Sequence, residues 1–189
     1  MSEPRPTASE AGGGPSPGLA RLWAGWRSAY ITRVSTDDAE LRRDAEGLSL
    51  FERILTADVP DDEAFVVHRG RAVSVLLNAF PYGTGHLLVL PNRAVADLAG
   101  LTTEESGELW TTVHDAVAAV RRAYEPDGVN VGLNLGAAAG AGVPEHLHVH
   151  VLPRWAADAN FMTAVAETRV LPEPLAETHR KVTDAWPAG

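Results

Sequence analysis

Residues 145–155 read Glu-His-Leu-His-Val-His-Val-Leu-Pro-Arg-Trp, and across His146–Val151 imidazole and aliphatic side chains alternate strictly. No other segment limits the fold as tightly. Side chains repeat every two residues along a β-strand and every 3.6 along a helix. Only an extended chain puts His146, His148 and His150 on one face and Leu147, Val149 and Val151 on the other. The aliphatic row needs a core against it. The imidazole row needs solvent, a cavity or a ligand. Imidazole changes charge near neutral pH, so the row gathers proton-transfer, nucleophilic and metal-binding capacity in one place.

The residues alone leave three readings open. The row is a solvated polar face, a chelate for zinc, copper or iron, or a site of covalent catalysis. In the last case one histidine attacks while its neighbours orient it and supply a proton. A metal-dependent hydrolase is weakened by the want of a carboxylate in the row, since alternation turns Glu145 to the other face.

Length and composition narrow the field. With 189 residues, 45% hydrophobic and 22% charged, the chain has the make-up of one ordinary globular domain. It has no cysteine, which excludes disulfides and thiolate metal sites. No apolar run reaches membrane-spanning length. No secretory pattern is visible, so cytoplasmic residence is expected. A net charge of −9 disfavours nonspecific nucleic-acid binding, which depends on Lys and Arg meeting phosphates. One small phosphate compound can still be held by backbone N–H groups, His and an Arg.

Residues 1–18 are rich in Gly, Pro, Ser and Ala and are expected to form a disordered tail; the single domain then spans 19–189. Leu22, Trp23, Trp26, Tyr30 and Ile31 open it as an aromatic cluster suited to packing or a subunit contact. Spacing predicts a helix over 37–57 and strands over 64–68, 72–78, 86–90 and 129–135. Thr102 and Glu105 form a capping box for a helix bearing Leu109, Val113, Val117, Val120 and Tyr124. A short helix is expected within 173–185. Consecutive strands point to an α+β fold, an antiparallel sheet with helices packed on it. His68, His114 and His179 read as surface residues.

The string His146-Leu-His-Val-His-Val-Leu-Pro153 resembles the signature of the histidine triad (HIT) superfamily. Asn78, followed by Pro81-Tyr82-Gly83-Thr84-Gly85-His86, is similar to the segment that brings a fourth histidine to the site. Gly132-Leu133-Asn134-Leu135-Gly136 with its glycine-rich continuation resembles the phosphate-side loop. Pro153-Arg154-Trp155 with Asp158-Ala159-Asn160-Phe161-Met162 resembles the fragile-histidine-triad branch, which hydrolyses or phosphorolyses diadenosine polyphosphates. The Leu22–Ile31 segment looks like actinobacterial members of it.

The resemblance implies a HIT-like fold and a homodimer whose sheets join. It implies nucleotidyl transfer, with His148 attacking the α-phosphorus of a nucleoside polyphosphate. A histidine–nucleoside monophosphate intermediate follows, released by water or inorganic phosphate. His150 would assist the leaving group, and His146 and His86 would orient the others. Asn78, Asn134, Gly136, Gly142 and Arg154 would contact substrate. Asn78 stays open between a ligand contact and satisfying a strand end. Asn134 is similarly open to a turn role, and Arg154 to pairing with a structural carboxylate. A nucleoside phosphoramidate hydrolase is an alternative with the same chemistry.

No tightly bound cofactor is expected, and magnesium would accompany substrate phosphates. Several relatives hold a structural zinc, but the matching positions are Ser49, Glu52 and Ala94, so no structural zinc is expected here. The Gln or Ser that many members place just before the triad is also missing from Gly140-Ala141-Gly142-Val143-Pro144.

Overall fold

Short apolar runs separated by turn residues fill residues 64–91, and the chain there forms a three-stranded antiparallel meander buried on both faces at β2 and β3. A computed structural model describes residues 47–158 and 173–188. The tail expected over 1–18, the Leu22–Ile31 cluster, positions 37–46 of the expected first helix and Ala159–Met162 lie outside the described residues. Strands β1 (Val66–Arg69), β2 (Val73–Leu77) and β3 (Leu87–Pro91) are joined by β5 (Val149–Arg154) and β4 (Gly128–Leu133). The sheet order is β1-β2-β3-β5-β4, with every neighbouring pair antiparallel.

The helices are set by their caps. Helix α1 (Leu50–Thr56) starts at Ser49, whose hydroxyl accepts from Glu52 N–H while the Glu52 carboxylate accepts from Ser49 N–H. This corrects the helix expected over 37–57. Gly47 has φ +79° and Ser49 is extended, so no helical path enters α1 from the described residues before it. Helix α2 (Thr103–Tyr124) carries the anticipated capping box and stops at Glu125, which has left-handed φ of 45°. Caps of this kind contribute about 1 kcal/mol each. Helix α3 (Leu175–Asp184) falls within the expected window.

Helices α2 and α3 cover one face of the sheet. Leu109, Val113, Ala116, Ala119 and Val120 of α2 pack with Val182 of α3 against Val75, Leu87, Val89, Leu147, Val149 and Val151. Glu108 of α2 also accepts from the N–H groups of Ala72 and Val73, which ties the helix to the β1–β2 turn. On the opposite face, Phe51 of α1 buries against Val66, Leu76, Leu88 and Leu90.

Two histidines differ from their expected surface placement. His179 is buried because α3 packs on the sheet, and its Nε2 donates to the Val66 carbonyl at 2.8 Å. His68 is half-buried and stacks on Trp186 with ring centroids 5.0 Å apart. His114 is exposed, as its place off the apolar stripe requires.

Candidate active site

The His/aliphatic alternation holds in three dimensions although β5 itself begins only at Val149. Leu147, Val149 and Val151 enter the core under α2, while His146 and His148 pack against Phe51 on the other face. Leu147 N–H donates to the Val95 carbonyl at 2.6 Å, which keeps the chain extended ahead of the strand. Glu145 departs from expectation because it lies in a turn, outside the alternation. Its Oε1 is buried with no hydrogen-bond partner among the described residues, and its charge acts on His146 and His148.

Backbone partners fix the tautomers of the triad. His146 Nε2 lies 2.7 Å from the Pro91 carbonyl, which only accepts, so that nitrogen carries the proton. The neutral ring therefore accepts at Nδ1, where the Ser49 hydroxyl stands at 2.7 Å. His148 Nδ1 donates to the main-chain carbonyl of His146 at 2.9 Å. Its Nε2 is left with a lone pair, the state an attacking imidazole requires.

A second chain of donors ends on His150. The Tyr82 N–H donates to His86 Nδ1 at 3.0 Å, and Asn78 Nδ2 donates to the same nitrogen at 3.3 Å. His86 therefore carries its proton on Nε2 and donates to His150 Nδ1 at 2.9 Å. That in turn places the His150 proton on Nε2, which is buried and has no partner among the described residues. A lone pair on His148 and an N–H on His150 thus stand on rings 5.0 Å apart.

This pairing does not favour the chelate reading. Both nitrogens of His146 and one on each of the other triad rings are taken within the protein. What remains is one nucleophile and one donor, not three lone pairs converging on a point.

Burial keeps the rings neutral. Desolvation lowers the pKa of His146, His148 and His150, that of His150 to about 4. A neutral His148 is competent to attack near pH 7, and the uncharged rings can sit side by side without repulsion.

Gly85 delivers His86 to the site. It has φ +76°, and a Cβ there would stand 2.8 Å from Pro153 Cγ and 3.0 Å from Tyr124 Cε2. Only glycine lets the loop pass so close to β5 and α2.

The remaining expected contacts are arranged less uniformly. Asn78 works at the end of β2, with its Oδ1 accepting from Phe80 N–H and its amide on His86. Arg154 is engaged by both carboxylate oxygens of Asp158 and by Asn130, in line with the structural pairing left open for it. Asn134 follows β4, whose Leu133 pairs with Val149, so it stands alongside the triad segment. Gly136 and Gly142 bracket the small-residue loop from β4 towards the triad, with Gly136 at φ +78° and open space where a Cβ would go.

Three site residues escaped sequence reasoning. Tyr82 stacks on His150 at 5.7 Å, Phe51 sets its edge against His146 and His148, and Ser49 bonds His146. The Ser49-x-x-Glu52 spacing is itself a capping-box pattern and could have marked the start of α1. Nothing local ties that helix to a strand some 97 positions away.

The positions that match zinc ligands in several relatives do not fit a zinc ion here. Ala94 offers no donor side chain. The Glu52 carboxylate oxygens accept from Ser49 and Ala94 N–H groups at 2.8 and 2.9 Å, and the Ser49 hydroxyl is taken by His146.

The site is an imidazole triad on a five-stranded antiparallel sheet, with a fourth histidine from the loop that leads into the adjoining strand. Residues 60–157 match the HIT domain, and the chain belongs to that family. The AP-4-A phosphorylase of Mycobacterium tuberculosis is 39% identical over 183 residues, covering 95% of this chain and 91% of that protein. The asymmetrical bis(5'-nucleosyl)-tetraphosphatase of Schizosaccharomyces pombe is 37% identical over 93 residues, covering 49% of this chain and 50% of its own. Among solved structures, a Zn-bound histidine triad family protein from Mycobacterium smegmatis superposes with a TM-score of 0.58 at 27% identity, covering 71% of this chain and 90% of that one.

Proposed function

We propose that this protein is a nucleotidyl transferase that cleaves diadenosine polyphosphates at an α-phosphate, with His148 as nucleophile. The observation that carries the reading is the pairing of a bare Nε2 on His148 with an unpartnered Nε2–H on His150. In the first step His148 Nε2 forms a bond to the α-phosphorus, and the bond from phosphorus to the bridging oxygen breaks. The departing polyphosphate oxygen takes up the negative charge, and the His150 N–H stabilises it by a hydrogen bond. In the second step an oxygen of inorganic phosphate, or of water that gives up a proton to solvent, attacks the phosphorus. The phosphorus–nitrogen bond breaks, and His148 regains its lone pair. With diadenosine tetraphosphate, phosphate yields ADP plus ATP, and water yields AMP plus ATP.

The 39% relative named as a phosphorylase over nearly the whole chain supports phosphate as the acceptor. The relative named as a tetraphosphatase keeps hydrolysis as the competing outcome. Asn134, Gly136 and Gly142 are assigned to the phosphate chain on their place beside the triad, and Asn78 to positioning His86. Arg154 contributes by holding the turn after β5 through Asp158. Magnesium would enter with the substrate phosphates. The engaged oxygens of Ser49 and Glu52 support a protein without structural zinc.

We further assign a homodimer joined along β4. Among the described residues β4 pairs only with β5, and it presents an exposed Val131. An unpaired strand edge with apolar side chains is a template for a second copy. Cytoplasmic residence fits a chain without cysteine, and no helix among the described residues is long and apolar enough to cross a membrane.

The test is incubation with diadenosine tetraphosphate, with and without inorganic phosphate, followed by product identification and mass analysis of protein quenched in alkaline denaturant, where the phosphorus–nitrogen bond survives. ADP and ATP with nucleotide mass on His148 are expected. Replacement His148→Ala should abolish turnover while substrate binding stays measurable. Turnover at near-native rate in that variant would overturn the assignment, and an amine released from a nucleoside phosphoramidate at a higher kcat/KM would redirect it.

A further inference from the structure

We propose that Ser49 and Glu52 form a hydrogen-bonded clamp that positions His146 and, through its carbonyl, the nucleophile His148. The proposal rests on the nucleotidyl-transfer reading above. Ser49 is fully buried, and its hydroxyl donates to His146 Nδ1 at 2.7 Å while accepting from Glu52 N–H at 3.2 Å. The Glu52 carboxylate is a staple in its own right. One oxygen takes Ser49 N–H, and the other takes Ala94 N–H from the chain just beyond β3. The first turn of α1 is thereby fastened both to the triad and to the strand beside it.

Geometry turns that fastening into positioning. His146 is held at both ring nitrogens, by Ser49 on one side and the Pro91 carbonyl on the other. A ring pinned at two ends fixes its own backbone. Its carbonyl is the acceptor that keeps the His148 proton on Nδ1. Without the Ser49 hydroxyl, a buried lone pair on His146 lacks its donor, a defect that drives a ring to rotate or change tautomer. The nucleophile's acceptor would move with it. Glu52 and Ser49 stand at positions whose counterparts hold zinc in several relatives. Here the same corner of the fold is closed by hydrogen bonds from a helix cap.

The matched control lies in the same chain. Thr102 and Glu105 make an equivalent capping box at α2, remote from any histidine bond. Ser49→Ala and Thr102→Ala lose the same kind of cap, and only the first touches the triad. Ser49→Ala is expected to slow nucleotide transfer to His148 about tenfold in single-turnover quench experiments, with KM within about twofold of the parent. Ser49→Thr, which keeps the hydroxyl, should recover most of the rate. Thr102→Ala should lose thermal stability and keep the rate. Should Ser49→Ala not fold, Ser49→Cys supplies a similar volume with a weaker donor and should show an intermediate loss. Imidazole nitrogen spectra of labelled protein read the same effect without turnover. The parent should show His148 protonated at Nδ1 alone, and Ser49→Ala should show a mixture. An unchanged spectrum and an unchanged rate in Ser49→Ala would overturn the clamp. Absence of nucleotide on His148 in the parent would instead overturn the parent reading and leave the spectra to judge the clamp.

Discussion

Gly85 offers a measurement of what it takes to bring His86 to the triad. Its φ of +76° imposes a penalty of about 1 kcal/mol on alanine, offset in part by the gain from a stiffer unfolded chain. Contact adds to that penalty. A Cβ at Gly85 stands 2.8 Å from Pro153 Cγ and 3.0 Å from the Tyr124 ring. Proline and a half-buried tyrosine cannot swing away cheaply, so the overlap should cost about 1–3 kcal/mol. Gly85→Ala should therefore melt roughly 2–12 °C below the parent, taking 2–4 °C per kcal/mol for a chain of this size. Urea unfolding of variant and parent gives the free-energy difference directly. Equal stability within about 0.5 kcal/mol would show that the Gly85 loop relaxes freely and that its glycine does not set the position of His86.

The remaining predictions concern charge, packing and metal. The triad rings bind protons less readily folded than unfolded, with His150 lowered to about 4 from 6.5, so their stabilisation is complete above about pH 6.5 and fades as pH falls towards 4. Discounted for the partial exposure of His150, a loss on the order of 1–2 kcal/mol should appear in urea midpoints between those limits, and a flat profile would contradict the desolvated triad. His179→Ala should destabilise by about 2–3 kcal/mol by orphaning the Val66 carbonyl and opening space under α3, and a change below about 0.5 kcal/mol in denaturation would argue against the buried placement. Exhaustive chelation should leave the melting temperature within about 1 °C, and a drop of several degrees would reveal a structural metal.

What could be read from the sequence was whatever repeats within a few residues. Thr102-x-x-Glu105 announced α2, and the alternation from His146 to Val151 announced both the inward aliphatic row and the imidazole face. The four meeting histidines were legible because two short motifs mark them. What stayed hidden depends on contacts far apart in the chain. His179 looks like a surface residue of a polar helix until α3 is laid against Val66. Ser49 reads only as a position without a zinc ligand, and nothing near it in the chain signals its bond to His146. Tyr82 sits in a loop whose glycines reveal flexibility but not the stacking of its ring on His150. Alternation turns Glu145 to the far face, yet the turn at that point breaks the strand geometry that alternation requires.

The group that steers the His148 proton is a main-chain oxygen. No side-chain substitution can delete it, so an alanine survey would score residue 146 only for its ring and would never register its other contribution. An amide-to-ester exchange at the 146–147 linkage weakens that oxygen as an acceptor with all the side chains in place, and it also removes the Leu147 N–H that bonds Val95. Drift in the coding sequence is blind to this part of the apparatus, which leaves the ring of residue 146 and its neighbours as the places where reactivity can be tuned.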